Sequence, residues 1–147
     1  MLRVVATEVT VVTDRGRFAG RVDFNELFGI IRADNNMGKT TILMSILYAM
    51  GLEGMLGPGD LPPLKPAVLR EIRDEGGGKH TVLESWVMLE LANHQGDRLT
   101  LQRPVVSHSE NRKLVHTWSG PALTDPGSEH TARDFYVSHR QSSNRQP

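Results

Sequence analysis

The sequence contains no cysteine in its 147 residues. This absence excludes disulfide frameworks and thiolate chemistry, and it is typical of proteins from a reducing compartment. Long apolar runs are also missing, because none approaches the ~20 residues that span a bilayer. Polar side chains interrupt the stretch from Met1 to Val12, so it lacks the continuous apolar core of a signal peptide. We therefore expect a soluble, cytoplasmic protein without a membrane partner.

An excess of either charge is absent as well, since 17 basic residues balance 17 acidic ones. No overall field therefore draws the chain onto nucleic acid, although a local basic patch is compatible with this balance. The arginines that could face DNA are Arg70, Arg73, Arg98 and Arg103. Solvated positions without DNA are the simpler expectation for them. The six histidines lie too far apart for a zinc spacing and are also expected at the surface.

The first fifty residues carry the signals of a hairpin, a buried strand and a helix. Leu2 to Val12 is rich in valine and threonine and predicts a strand, and Arg17 to Phe24 predicts its hairpin partner. The short apolar run from Leu27 to Ile31 is typical of a strand buried on both faces. From Gly38 to Met50 the apolar residues recur at helical spacing on nearly all sides, which predicts a helix buried inside a layered domain.

The second half of the chain predicts an antiparallel meander. Strands are expected from Thr81 to Leu91, Arg98 to Val106, Lys113 to Trp118 and Asp134 to Val137. In the first of these strands, alternation places Leu83 with Val87, Leu89 and Leu91 on one face, and it places Glu90 on a solvated face.

Composition divides the chain into four segments. Residues 1–50 hold the hairpin, the apolar strand and the helix, and residues 51–79 form a glycine- and proline-rich excursion. Residues 80–138 are the antiparallel β segment. Residues 139–147 are a polar tail that is expected to be disordered. This order of elements predicts a mixed α/β domain.

The segment between the apolar strand and the helix has the spacing of a phosphate-binding loop. Backbone N–H groups must wrap the phosphates closely, so Gly38 is expected where a side chain would intrude. The ammonium of Lys39 is expected to reach the β- and γ-phosphates of ATP, and the hydroxyl of Thr40 to hold Mg²⁺. The helix directs its positive end toward the anion. The predicted nucleotide-binding residues are Ala33, Asp34, Asn35, Asn36, Met37, Gly38, Lys39, Thr40 and Thr41.

At these residues the sequence resembles a family. The stretch from Phe24 to Gly54 is similar to the N-terminal ATPase head of SMC/RecF/SbcC-type proteins, and most of all to SMC-like ATPases of anti-phage defence and RecF-like repair proteins. Their loop commonly reads G-x-N-G-x-G-K-[ST]. Asn35, Gly38, Lys39 and Thr40 match that pattern, whereas Ala33 and Asn36 replace two glycines. The likeness continues more loosely from Val82 to Arg103.

The resemblance implies the N-terminal lobe of a P-loop NTPase, an ABC-ATPase-like head with an antiparallel β meander. In that family a C-terminal half-head, beyond a coiled coil, brings the signature motif and the carboxylates that activate water. A second head completes the site, and such heads bind DNA. This sequence has neither sustained heptads nor an LSGGQ-like segment. It therefore predicts an incomplete head that binds ATP without catalytic residues of its own.

Other functions remain open on the sequence alone. The loop could be a chance match on an ordinary strand–loop–helix. A P-loop GTPase or a small kinase would want a base-reading or acidic partner motif, and we find none. A fragment that keeps a degenerate loop only as structure would act as an interaction module.

Overall fold

The structure, a computed structural model, describes residues 1–24, 31–32, 34, 38–56 and 62–137. Within these ranges the chain forms seven β-strands, two α-helices and one short 3-10 turn. The strands are β1 (Leu2–Thr13), β2 (Gly16–Asp23), β3 (Glu71–Arg73), β4 (Lys79–Asn93), β5 (Arg98–Val106), β6 (Leu114–Ser119) and β7 (Thr131–Tyr136). The helices are α1 (Lys39–Ala49) and α2 (Pro66–Leu69), and the 3-10 turn is Glu53–Leu56.

All the strands belong to one antiparallel sheet. Its order is β2-β1-β4-β5-β6-β7, and β3 pairs with the beginning of β4 outside this path. The long strand β4 lies between β1 and β5, so it joins the N-terminal hairpin to the C-terminal meander. The sequence predicted the strands of the pairs β1–β2 and β4–β5, and helical spacing predicted α1. The bounds of these elements are confirmed to within one or two residues.

The predicted fold class is wrong. The structure is 48% strand and 16% helix and contains a single antiparallel sheet, not a mixed α/β P-loop NTPase lobe of the ABC-ATPase-like head type. A parallel sheet needs helical crossovers between strands. Here β4 pairs antiparallel with β1, and the described residues of the excursion at 51–79 supply the 3-10 turn, α2 and β3. The predicted strand from Leu27 to Ile31 and the tail lie almost entirely outside the described residues.

A bulge in β4 changes which of its alternating residues point to the buried face of the sheet. Val12 pairs with Glu84 and Thr13 with Val82, so Leu83 is an extra residue on β4. Before the bulge the buried positions are His80 and Val82, and after it they are Ser85, Val87 and Leu89. Leu83 is 42% exposed, which makes its predicted place beside Val87 wrong. An extra strand residue shifts the alternation by one, and simple periodicity cannot show where this happens.

The helix α1 lies across the sheet face formed by Val87 and Leu89, and its residues Tyr48 and Ala49 are each 1% exposed. The hydroxyl of Tyr48 donates a hydrogen bond to the carbonyl of Pro104 at 2.7 Å. Leu43, on another side of the helix, is 56% exposed. The expected burial of α1 on all sides is therefore not observed in the described part of the chain.

A buried arginine holds the C-terminal end of α1. Arg103 on β5 is 2% exposed, and its guanidinium donates to the carbonyl of Tyr48 at 2.6 Å. It also binds both carboxylate oxygens of Glu53 at 2.6 and 2.8 Å and lies 4.0 Å from the ring centroid of Tyr48. Burial and the charge of Glu53 raise the pKa of Tyr48 to about 12, although Arg103 opposes them, so the phenol stays a donor. A planar guanidinium suits this combination of stacking and paired bonds.

Replacing Arg103 by methionine should destabilise the fold strongly. The variant removes the partner of Glu53, a carboxylate that is only 15% exposed, and breaking a buried ion pair costs about 3–5 kcal/mol. Urea unfolding followed by circular dichroism measures the change. Arg73→Met is the matched control, because Arg73 pairs with Glu71 on the surface and such pairs contribute at most about 1 kcal/mol. Equal losses in the two variants would contradict the central role of Arg103.

Candidate functional site

The predicted phosphate-binding loop is described in part. Asp34, Gly38, Lys39, Thr40 and Thr41 fall within the described residues. The remaining predicted members, Ala33, Asn35, Asn36 and Met37, lie outside them. Gly38, Lys39, Thr40 and Thr41 are consecutive at the N-terminal end of α1, and Asp34 is exposed.

Gly38 adopts a backbone conformation that favours glycine. Its φ is 86° and its ψ is 6°, in the left-handed region, and α1 begins at the next residue. Among the described residues, no heavy atom beyond its chain neighbours and the helix backbone lies within 4 Å of the position that a Cβ would take. The positive φ by itself therefore favours glycine here, and the expected close approach of phosphates stays a prediction.

The first turn of α1 presents backbone donors. The first helical hydrogen bond runs from the N–H of Ile42 to the carbonyl of Gly38 at 3.0 Å, so the amides of Lys39, Thr40 and Thr41 precede the ladder. Within the described residues no side chain caps this end, and the first turn has no acidic residue. Backbone N–H groups at the start of a helix and the positive end of its dipole together favour an anion.

The side chains of this turn suit a nucleotide with its metal. Thr40 is exposed and its hydroxyl makes no hydrogen bond in the described part of the chain, so it is available as an oxygen ligand for Mg²⁺. Lys39 is partly buried and engaged in an interaction. The hydroxyl of Ser45 donates to the carbonyl of Thr41 at 2.6 Å and thereby ties this turn to the buried part of α1.

Glu90 is buried and does not face this turn. The prediction that it points to solvent is wrong, because it is 0% exposed. Its carboxylate accepts hydrogen bonds from Arg98 at 2.7 Å and from the backbone N–H and hydroxyl of Thr124, each at 2.9 Å. Leu89 and Leu91 belong to the core that α1 covers, so Glu90 between them points to the opposite face.

The segment from Gly120 to Thr124 explains the burial of Glu90. It crosses that opposite face of the sheet, and we call it the crossing segment. The hydroxyl of Thr100 donates to the carbonyl of Gly120 at 2.9 Å, and Arg21 donates to the carbonyl of Leu123 at 3.2 Å. Leu123 is 7% exposed. Nothing in the residues around Glu90 indicates that a segment thirty positions later covers it.

The four arginines proposed for a DNA-facing patch do not act together. Arg70 and Arg73 are exposed, whereas Arg98 binds Glu90 and Arg103 is in the core. The prediction that the histidines lie at the surface is wrong for His80. This residue is 9% exposed, and its Nε2 lies within hydrogen-bond distance of Asp74, at 3.0 Å. In the described ranges no group of three or more His, Cys, Asp or Glu side chains could hold a metal ion.

His116 bridges two carboxylates near the edge of the sheet. Its Nδ1 lies 2.8 Å from Asp134 and its Nε2 lies 3.0 Å from Glu110. Partial burial lowers the pKa of His116, but the hydrogen bonds to Asp134 and Glu110 outweigh it, and the net effect raises the pKa. Only the imidazolium can donate from both nitrogens, so the geometry requires the protonated ring.

No protein-family model, no curated protein and no solved structure matches this chain. The site must therefore be interpreted from its own geometry. Among the residues that the structure describes, no helix is long and apolar enough to cross a membrane.

The bridge at His116 predicts a pH-dependent contribution to stability. Because the folded-state pKa is raised, the contribution is fully present below the unfolded pKa and is lost as the pH rises through the folded pKa. We expect His116→Gln to cost up to about 1 kcal/mol at about pH 5.5 and less at about pH 8.5, on either side of the ordinary histidine pKa of about 6.5. Urea unfolding at both pH values measures this difference. The exposed His94→Gln variant is the control, and a cost independent of pH would contradict the bridge.

Proposed function

We propose that the segment from Ala33 to Thr41 binds the phosphates of Mg·ATP. The observation that carries this proposal is a glycine in the left-handed conformation directly before the N-terminus of α1, an end that no side chain of the described residues caps. Lys39 supplies the charge for the β- and γ-phosphates, and Thr40 the hydroxyl for Mg²⁺. When bound, Mg²⁺ would offset the negative charge of the phosphates, and Thr40 would help to hold it.

The larger role is that of an ATP-binding part of an SMC/RecF-like ATPase in DNA repair or phage defence. The resemblance in the loop supports this role, and the predicted cytoplasmic location agrees with it. The same resemblance implies its partners: a C-terminal half-head, a second head and DNA. In this role the loop binds ATP and the partners complete the site, while the described sheet stays antiparallel.

The chain alone is proposed to bind ATP without hydrolysing it. Attack by water needs a carboxylate or an equivalent group that orients the water, together with donors facing the γ-phosphate. Glu90 is engaged with Arg98 and Thr124 on the opposite face of the sheet from α1. Lys39 and Thr40 therefore supply only one side of the cage, and the other side must come from a partner.

A second candidate is an interaction module whose loop does not bind nucleotide. The exposed apolar side chains near α1 favour it, because Leu43 is 56% exposed and Met55 is 76% exposed. Apolar residues of this kind commonly mark contact surfaces when they cluster. Within the described ranges, no feature favours a GTPase or a kinase.

Lys39→Ala should weaken Mg·ATP binding without unfolding the chain. A hydrogen bond to a charged group contributes about 1.5–3 kcal/mol, which corresponds to roughly a tenfold to hundredfold increase in Kd. Isothermal titration with ATP and with GTP gives the affinities, and circular dichroism checks the fold. Lys79→Ala is the matched control, because Lys79 also follows glycines but begins β4. Unchanged ATP binding in Lys39→Ala, or no binding by the natural chain, would favour the interaction module.

The purified chain should show no steady ATP turnover. A phosphate-release assay, with and without an added C-terminal half-head, tests this expectation. Turnover only in the mixture supports an incomplete site. Steady turnover by the chain alone that disappears in Lys39→Ala would mean that a catalytic group within this sequence has been missed.

A further inference from the structure

The strand β7 is an open edge of the sheet. It pairs with β6 on one side, and in the described part of the chain no strand pairs with its other side. All six of its residues are exposed, with Phe135 at 56% and Tyr136 at 69%. The strand contains neither proline nor a bulge, two of the features that prevent an edge from accepting another strand, although it carries the charged residues Arg133 and Asp134.

The hydrogen-bonding pattern identifies which groups of β7 point outward. The N–H of Val137 donates to the carbonyl of Lys113 at 2.8 Å, so residue 137 points toward β6. Backbone groups alternate along an antiparallel strand. Thr131, Arg133 and Phe135 therefore share the orientation of Val137. Ala132, Asp134 and Tyr136 direct their N–H and carbonyl groups to the free side.

We propose that β7 pairs antiparallel with β7 of a second copy of this chain, about a two-fold axis at Asp134. A two-fold axis perpendicular to the sheet pairs residues whose side chains point to the same face. Paired positions must therefore be an even number of residues apart, so one residue lies opposite its own copy at the axis. With the axis at Asp134, the outward residues Ala132, Asp134 and Tyr136 each lie opposite an outward residue of the second copy. The two strands then form about six main-chain hydrogen bonds. An axis at Arg133 or Phe135 gives about four.

The side chains favour the same axis. An axis at Arg133 would oppose two guanidinium groups, which is unfavourable. The axis at Asp134 instead places each Arg133 opposite Phe135 of the second copy, a cation–π pair. Arg133 forms no ion pair within the described residues, so it is available for this contact. The two opposed Asp134 carboxylates are each bound to the imidazole of their own His116, which reduces their repulsion.

The interface should be weak and reversible. One pair of six-residue strands lies at the lower end of specific interface sizes. The second copy would also cover part of the groove of about 650 Å³ that Phe135, Arg133, Val115 and Leu101 line beside Met50. Closure about a two-fold axis uses both free β7 edges and therefore gives a dimer and not a fibre.

Light scattering with size-exclusion chromatography at several concentrations tests the dimer. We expect dimers that dissociate on dilution, and an Ala132→Pro variant with at least a roughly tenfold higher dimer Kd. The outward N–H of Ala132 makes no bond to β6, so proline removes an intermolecular donor and leaves the sheet paired. Ala132→Val is the matched control, and circular dichroism confirms that both variants fold. A natural chain that stays monomeric, or a dimer unaffected by Ala132→Pro, would overturn the proposal.

Cysteine cross-linking tests the register, because the chain has no cysteine of its own. The proposed axis brings residue 132 of one copy opposite residue 136 of the other. The double variant Ala132→Cys with Tyr136→Cys should therefore form a covalent dimer under mild oxidation. Each single variant should not, because its two thiols would be roughly 13 Å apart along the strands. Equal cross-linking of a single variant, or none in the double variant, would refute the axis at Asp134.

Discussion

The contact between Arg103 and the end of α1 is the constraint on which the rest of the structure depends. A helix of eleven residues is too short to be stable in water without packing, so α1 depends on its contacts with the sheet. Arg103 satisfies the carbonyl of Tyr48, lies against its ring and binds Glu53 beyond the helix. One side chain on β5 thus fixes where α1 ends. The position of the turn proposed to bind phosphate, at the other end of the same helix, follows from it.

Much of the sheet could be predicted from the sequence because strand signals are local. The strand signal of β5 and the apolar spacing of α1 each lie within fifteen residues. The bulge at Leu83 could not be predicted, since it is visible only in the pairing with β1. The prediction of a mixed α/β class was wrong for a related reason. It followed from the order of the local elements, a hairpin, an apolar run, a loop and a helix, whereas the described strands pair in one antiparallel sheet.

The candidate site was only partly predictable. Gly38, Lys39 and Thr40 could be named as candidates because the chemistry of phosphate binding requires these residue types at this spacing, and their role stays a prediction. The buried charges could not be assigned, because a charged residue in a strand is normally solvated. Arg103 and Glu90 are exceptions whose partners, Tyr48 and Thr124, lie 55 and 34 residues away in the sequence. Contacts of that range leave no periodic pattern around either residue.

The pairing of β1 with β4 has a consequence for synthesis. Thr7 donates to the carbonyl of Met88, so strands that are neighbours in the sheet are 81 residues apart in the chain. The hairpin of β1 and β2 is synthesised before β4, and until then the side of β1 that pairs with β4 lacks that partner. At about 5–20 residues per second, several seconds pass before β4 can cover it. During that time the valine-rich edge of β1 is open to other chains, and the native sheet forms only after β4 has been synthesised.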